Sequence, residues 1–260
     1  FEENRRLHQG DPALRAAAER LLMLPVIDTT ALATDRHAST AERAHQIALL
    51  QYTSGSTSQP KGVCVSHENL IANCRAVVDH ERPVAVSWLP QHHDMGLIGN
   101  YIYTALSGGT TWGLSPRSFV QRPALWLDLI SRHKATATSV PNFALALCLD
   151  ERRVPSADLG RYDLSSLRLL MVAAEPVEPG TFDAFRNKFA RAGLRREAFY
   201  AAYGLAEFTL AVTSYGYRAL SVDRRQLAQG RVSPVTRTTG VSHALPVMSC
   251  GRPLGDTEIR

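Results

Sequence analysis

From Ile47 onward the chain alternates short apolar runs with stretches whose apolar residues recur at helical spacing. The segments VAVSWLP (84–90), TATSVP (136–141), LRLLMVAA (167–174) and AFYAAYG (198–204) are each short, rich in apolar residues and closed by proline, glycine or a small residue. Such runs predict buried strands, and IALLQYT (47–53) adds another. Between them lie helical patterns. SHENLIANCRAVVDH (66–80) offers Ser66 as an N-cap with Glu68 in the first turn, while HDMGLIGNYIYTALSGG repeats apolar residues at 97, 98, 101, 102 and 105 before a glycine stop. Similar signals mark 123–133 and 180–192. Strands separated by helices predict an α/β fold, with largely parallel sheets flanked by helices.

The pattern weakens at both ends. Residues 1–45 carry one good helix around PALRAAAERLLML and a short strand at LPVID, and form an incomplete upstream part; residues 46–260 form the main body. Residues 216–249 are polar and broken by Gly230, Pro234, Gly240 and Pro246, with one helix expected at VDRRQLAQG, capped by Asp223 and stopped by Gly230. Coil of such length inside a compact domain is usually functional or disordered. The final DTEIR reads as the beginning of a strand.

Composition narrows the classes. The chain has 260 residues, 45% of them apolar and 20% charged, which predicts a globular protein with a sizeable core. Its formal charge of +5 comes from dispersed arginines, with no basic run of the kind that marks nucleic-acid contact. Four cysteines without CxxC spacing argue against a zinc site or disulfide framework and suit a reducing, cytoplasmic setting. No apolar run is long enough for a transmembrane span, and no signal-peptide pattern is present.

Lysine is scarce, with only Lys61, Lys134 and Lys188, and one follows a run of small hydroxyl residues in QYTSGSTSQPKGV (51–63). Gly55 and Lys61 stand at the Walker A interval, but Pro60 replaces the second glycine and Gly62 the magnesium-binding Ser/Thr. The chemical capability is nevertheless similar. Small residues let the backbone bend close to an anion, Thr53, Ser54, Ser56 and Thr57 supply hydroxyls, and Lys61 supplies a point charge. An ordinary strand-to-strand turn would use the same residue types.

Further stretches fall where a parallel sheet gathers successive strand ends on one edge. WLPQHHDMGLIG ends one strand and opens a helix, VAAEPVEP follows a second, and AYGLAE follows a third. Tyr203 could stack on a base and Glu207 could ligate magnesium. Equally, these residues could be an aromatic at the core edge and a solvated charge.

Taken in order with SCGRPL (249–254), these stretches resemble the adenylate-forming superfamily and, within it, the fatty acyl-AMP ligases. Alanine at position 206, where acyl-CoA ligases usually carry threonine, and the HDMGLIG form point to that branch. The resemblance runs from about Ile47 to Arg260 and implies a fragment of the large N-terminal domain, without the small C-terminal domain, so the fragment alone is expected to be inactive. It implies ATP- and Mg2+-dependent activation of a fatty acid to acyl-adenylate with release of pyrophosphate. The acyl group then passes to an acyl carrier protein or a polyketide or peptide synthetase module.

It also implies roles for individual residues. Thr53, Ser54, Gly55, Ser56, Thr57 and Lys61 would hold the β- and γ-phosphates. Ala174, Glu175 and Pro176, with Tyr203, Gly204 and Ala206, would form the nucleotide wall, and Glu207 would bind magnesium. His93, Asp94, Met95 and Gly96 would face the acyl group, with Lys61, His93 and Glu207 catalytic. Residues 216–249 match a branch-specific insertion that impedes CoA use. The alternatives are a long-chain acyl-CoA synthetase and a non-catalytic nucleotide- or lipid-binding fragment.

Overall fold

The computed structural model describes residues 46–53, 61–77, 82–235 and 243–259. The expected helix and strand before residue 46 lie outside the described residues, as does the phosphate-loop segment 54–60.

Strands β1 (Ile47–Thr53) and β2 (Lys61–Ser66) form an antiparallel hairpin in which Thr53 lies opposite Lys61. Helix α1 (His67–Val77) follows. Its start is the reciprocal cap predicted at Ser66: the Asn69 amide donates to Ser66 Oγ at 3.1 Å, and the Ser66 amide donates to Asn69 Oδ1 at 3.0 Å.

A mixed sheet forms the body. Five of its strands are parallel in the order β4 (Thr110–Gly113), β3 (Val84–Ser87), β5 (Ala137–Val140), β6 (Leu169–Val172) and β7 (Phe199–Gly204). Antiparallel β8 (Ala211–Gly216) and β11 (Arg252–Pro253) complete it beyond β7. The DTEIR end, expected as a strand, is turn and irregular structure through Ile259 because pairing at this edge stops at Pro253.

Adjacent residues of β5 show how both faces are covered. Neighbouring strand residues point to opposite faces. Thr138 Oγ1 accepts a hydrogen bond from Trp126 Nε1 of α4 (Ala124–His133), at 3.1 Å, and Ser139 Oγ accepts one from Asn100 at 2.8 Å. On the α4 face, Phe182, Phe185 and Phe189 of α6 (Pro179–Ala190) pack with Phe199 of β7 and Trp126, all essentially inaccessible. Each such ring removes some 150–250 Å² from water and so anchors the helix to the sheet. Short helices α3 (Pro116–Gln121) and α5 (Asn142–Leu149) complete the connections.

The opposite face carries a departure from expectation. The periodic stretch after His93 is not one α-helix: Met95–Ile102 is a π-helix, and only Tyr103–Leu106 (α2) is α-helical. The buried Asn100 side chain donates to Met95 O at 2.8 Å, a five-residue span that matches π spacing.

The polar 216–249 stretch also holds more structure than its sequence predicts. Strands β9 (Ala219–Asp223) and β10 (Ala244–Met248) pair antiparallel around α7 (Arg224–Leu227). Asp223 caps α7 as expected, accepting from Arg225 N at 2.8 Å and Gln226 N at 3.1 Å. The helix stops earlier than the sequence predicts, with Gly230 in the following turn at φ +74°.

Candidate active site

A cleft of about 220 Å³ opens where the parallel strands end. It is lined by Ala173 and Ala174 after β6, by Ala202, Tyr203 and Gly204 of β7, and by His93, Asp94 and Met95 from the β3 side. This is the carboxyl edge of the sheet, where open α/β folds bind ligands. Six site residues expected from the sequence therefore share this cleft: His93, Asp94, Met95, Ala174, Tyr203 and Gly204.

Two backbone features shape its wall. Ala174 has φ +72° and Thr209 has φ +72°, a region costly for residues with a Cβ and concentrated at functional sites. Gly204 meets a different demand: a Cβ there would sit 2.0 Å from Leu210 O. That close approach lets the Leu205 amide donate to Leu210 O at 2.9 Å, closing a tight loop around the 3-10 turn Ala206–Phe208. Glu207 stands exposed on this turn, with Ala206 buried beneath it.

The β1–β2 hairpin comes to the same place. Strand β1 packs against the Ala206–Phe208 turn, and Gln51 Nε2 donates to His92 O at 3.4 Å. Thr53 and exposed Lys61 are thus carried on a hairpin that touches both the Glu207 turn and the His92–Asp94 segment. Ser54, Gly55, Ser56 and Thr57 lie outside the described residues.

His93 and Asp94 form a pair. His93 Nδ1 lies 2.7 Å from Asp94 Oδ1, which also accepts from Met95 N at 2.6 Å. The hydrogen bond to Asp94 raises the His93 pKa above its ordinary value, against the opposing effect of burial. With Nδ1–H committed to the carboxylate, Nε2 is the nitrogen left to face a substrate. Gly96 packs directly behind: a Cβ would meet Pro90 O at 2.2 Å, so only glycine allows this turn into the π-helix.

Glu175 and Pro176 take another place. They are exposed beyond β6 and are not among the cleft-lining residues. Glu175 Oε1 accepts from Phe143 N at 2.6 Å, so its carboxylate serves the start of α5. Asn142 Oδ1 accepts from Glu178 N at 3.1 Å and ties the same two connections together.

Met171, Leu210 and Ala211 also line the cleft and were not singled out from sequence. The same three residues border a second, deeper apolar cavity of about 40 Å³ under the π-helix, with Tyr103, Gly99 and Ala137 among its other walls. Among the described residues, no group of three or more potential ligands is placed to hold a metal ion by itself. An exposed carboxylate such as Glu207 still fits magnesium, which usually takes one or two carboxylates together with substrate phosphates and water.

The cleft at the strand ends is lined by the paired His93 and Asp94 together with Tyr203. The sequence profile of AMP-binding enzymes matches residues 5–260. The chain belongs to the AMP-binding enzyme family.

Among curated relatives of this AMP-binding enzyme, a medium-chain-fatty-acid–[acyl-carrier-protein] ligase of Moorena producens is 38% identical over 221 residues, covering 82% of this chain and 37% of the relative. A 4-hydroxyphenylalkanoate adenylyltransferase of Mycobacterium tuberculosis is 37% identical, covering 81% of this chain and 35% of its own length. Among solved structures, a fatty acyl-adenylate ligase from L. pneumophila in complex with acyl adenylate and pyrophosphate superposes with a TM-score of 0.72 at 39% identity, covering 81% of this chain and 38% of that one. The chain thus spans little more than a third of the length of these relatives. Among the described residues, no helix is long and apolar enough to cross a membrane.

Proposed function

We propose that residues 46–260 supply the ATP- and acyl-binding part of a fatty acyl-AMP ligase. The reaction joins a fatty carboxylate to the α-phosphate of ATP, expelling pyrophosphate, and the acyl group then moves to the phosphopantetheine thiol of an acyl carrier protein. The observation that supports this reading is proximity: the hairpin bearing Lys61 contacts both the Glu207 turn and the segment leading to His93 and Asp94, which line a cleft with Tyr203.

The chemical difficulty is that one anion must attack another, so the site must offset their repulsion and hold nucleophile and leaving group in line. Lys61, with N–H and O–H donors of the segment from Thr53 to Thr57, would balance the negative charge on the departing pyrophosphate. His93 would donate from Nε2 to the fatty carboxylate, holding it at the cleft mouth beside Met95 and Gly96. Tyr203 would stack on the adenine, with Ala174 and Gly204 forming the close wall. Glu207 would hold Mg2+, which would neutralise phosphate charge during transfer. Ala206 has no hydroxyl, so contact with the α-phosphate at this turn falls to backbone N–H groups.

The deeper cavity under the π-helix is apolar and continuous in its lining with the cleft, which suits an acyl chain entering past His93. The β9–β10 unit lies within residues 216–249, the proposed insertion that impedes productive use of CoA. Carrier-protein ligation in a relative supports the acceptor, and a polyketide or peptide synthetase module would present the same thiol. The cytoplasm, where ATP is abundant, is the proposed compartment.

The test is product analysis by mass spectrometry after incubating a full-length protein that contains this chain with ATP, Mg2+, a fatty-acid mixture, CoA and a carrier protein. Acyl-AMP and acylated carrier without acyl-CoA is the expected outcome. Efficient acyl-CoA formation would move the assignment to an acyl-CoA synthetase, and absence of ATP–pyrophosphate exchange would leave a binding module.

A further inference from the structure

Asn73 lies on α1, is nearly buried, and belongs to neither cavity lining. Its amide nevertheless grips the wall they share. Nδ2 donates to Ala211 O at 2.8 Å, Oδ1 accepts from Ala211 N at 3.0 Å, and Oδ1 also accepts from Tyr103 Oη at 2.5 Å. Burial pushes the Tyr103 phenol well above its ordinary pKa, so this hydroxyl is a neutral donor.

The first two bonds imitate a strand partner. Ala211 opens β8 opposite Gly204, and β11 pairs with β8 only at Thr213 and Ser214. At Ala211 a side-chain amide takes both backbone groups in place of a neighbouring strand. Two residues earlier the chain passes through the costly φ of Thr209, so an external grip is needed to hold the Leu210–Ala211 segment in place.

The third bond extends that grip to a second residue of the deeper cavity's lining. Tyr103 and Ala211 both line it, and one Asn73 oxygen fixes the two together. We propose that Asn73 is a positioning residue for the acyl chain: by tying Tyr103 and Ala211 together it fixes the shape of the wall they give the deeper cavity, and hence the preference for long over short acids. This rests on the acyl reading of that cavity.

The test compares hexanoate, too short to pass far beyond the cleft, with dodecanoate, by isothermal titration of the unmodified chain, Asn73→Ala and Tyr103→Phe. Asn73→Ala is expected to weaken dodecanoate about 10-fold while hexanoate stays within about twofold, because only the longer acid uses the bracketed walls. Tyr103→Phe keeps both bonds to Ala211 and the ring, so it should give the same split at about two- to threefold, and it decides the matter if Asn73→Ala does not fold. Equal weakening of both acids, or no change in either, would overturn the positioning role. If the unmodified chain bound hexanoate but not dodecanoate, the acyl reading of the deeper cavity would fail instead.

Discussion

His93 Nδ1 and Asp94 Oδ1 stand 2.7 Å apart at the mouth of the cleft, and the carboxylate raises the pKa of the imidazole. A raised pKa means that the charged pair stabilises the fold fully below the ordinary histidine value, about 6.5, and that this is lost as pH rises through the raised value. More than half of the His93 side chain is exposed, at 54%, so solvent screening keeps that contribution small. The functional effect is the more visible. If imidazolium attracts the fatty carboxylate, kcat/KM for the fatty acid should fall as pH rises through the His93 pKa. Asp94→Asn should move that falling limb to lower pH, and an NMR titration of His93 should move with it. A limb that stays in place would assign it to another group.

Lys61 lies opposite Thr53 in the hairpin and is exposed. If the ammonium offsets charge developing on pyrophosphate, Lys61→Ala should slow acyl-adenylate formation by about 100-fold, about 3 kcal/mol. ATP-dependent hydroxamate formation measures this. A rate close to that of the unmodified enzyme would place Lys61 outside the chemistry.

Gly204 offers a test of the turn rather than of its charges. The Cβ of Gly204→Ala would lie 2.0 Å from Leu210 O, a backbone atom with little freedom to yield. A cost of about 1–3 kcal/mol is expected in urea unfolding, as for other forced overpacking. Because relief requires the 205–210 loop to shift, the apparent magnesium requirement should rise as well. A variant of unchanged stability would show that the loop relaxes freely.

Lys188 predicts stability away from the cleft. Its side chain is only 8% exposed, and Nζ donates to Cys148 O at 3.2 Å, Val154 O at 2.6 Å and Glu151 Oε1 at 2.8 Å. Lys188→Met would leave two part-buried carbonyls without this donor, so a loss of about 1–3 kcal/mol is expected in chemical denaturation. Glu151, held down to about 2 by hydrogen bonds from Lys188 and Ser156, adds a pH signature. Its stabilisation should be present above the ordinary carboxylate range and fade as pH falls towards 2, and Lys188→Met should reduce that acid sensitivity.

The strands of the parallel sheet were legible because β3, β5, β6 and β7 are buried on both faces and read as compact apolar runs. Ser66 and Asp223 were legible as caps because a short polar side chain before a helix has a specific local use. Helix α5 was missed: NFALALCL is apolar nearly all round, so it offers no helical contrast. The β9–β10 hairpin escaped for the opposite reason, since Leu220 and Val247 are exposed and no buried face marks the alternation. At the cleft, His93 and Tyr203 carry distinctive chemistry and stood out. Met171, Leu210 and Ala211 are ordinary apolar residues whose importance arises only from where the chain folds back. Glu175 carries a carboxylate whose local bond, accepted from Phe143 N, the sequence pattern does not reveal.

The wide turns of Met95–Ile102 also constrain how this segment can change over time. Deleting a single residue there would break the five-residue span between Met95 and Asn100 that the wide winding supports and shift the phase of Asn100 relative to Tyr103. Asn100 would turn away from Ser139, or Tyr103 from Asn73, since one rotation cannot satisfy both. The length of this stretch is therefore constrained by the bonds that Asn100 and Tyr103 make to different partners.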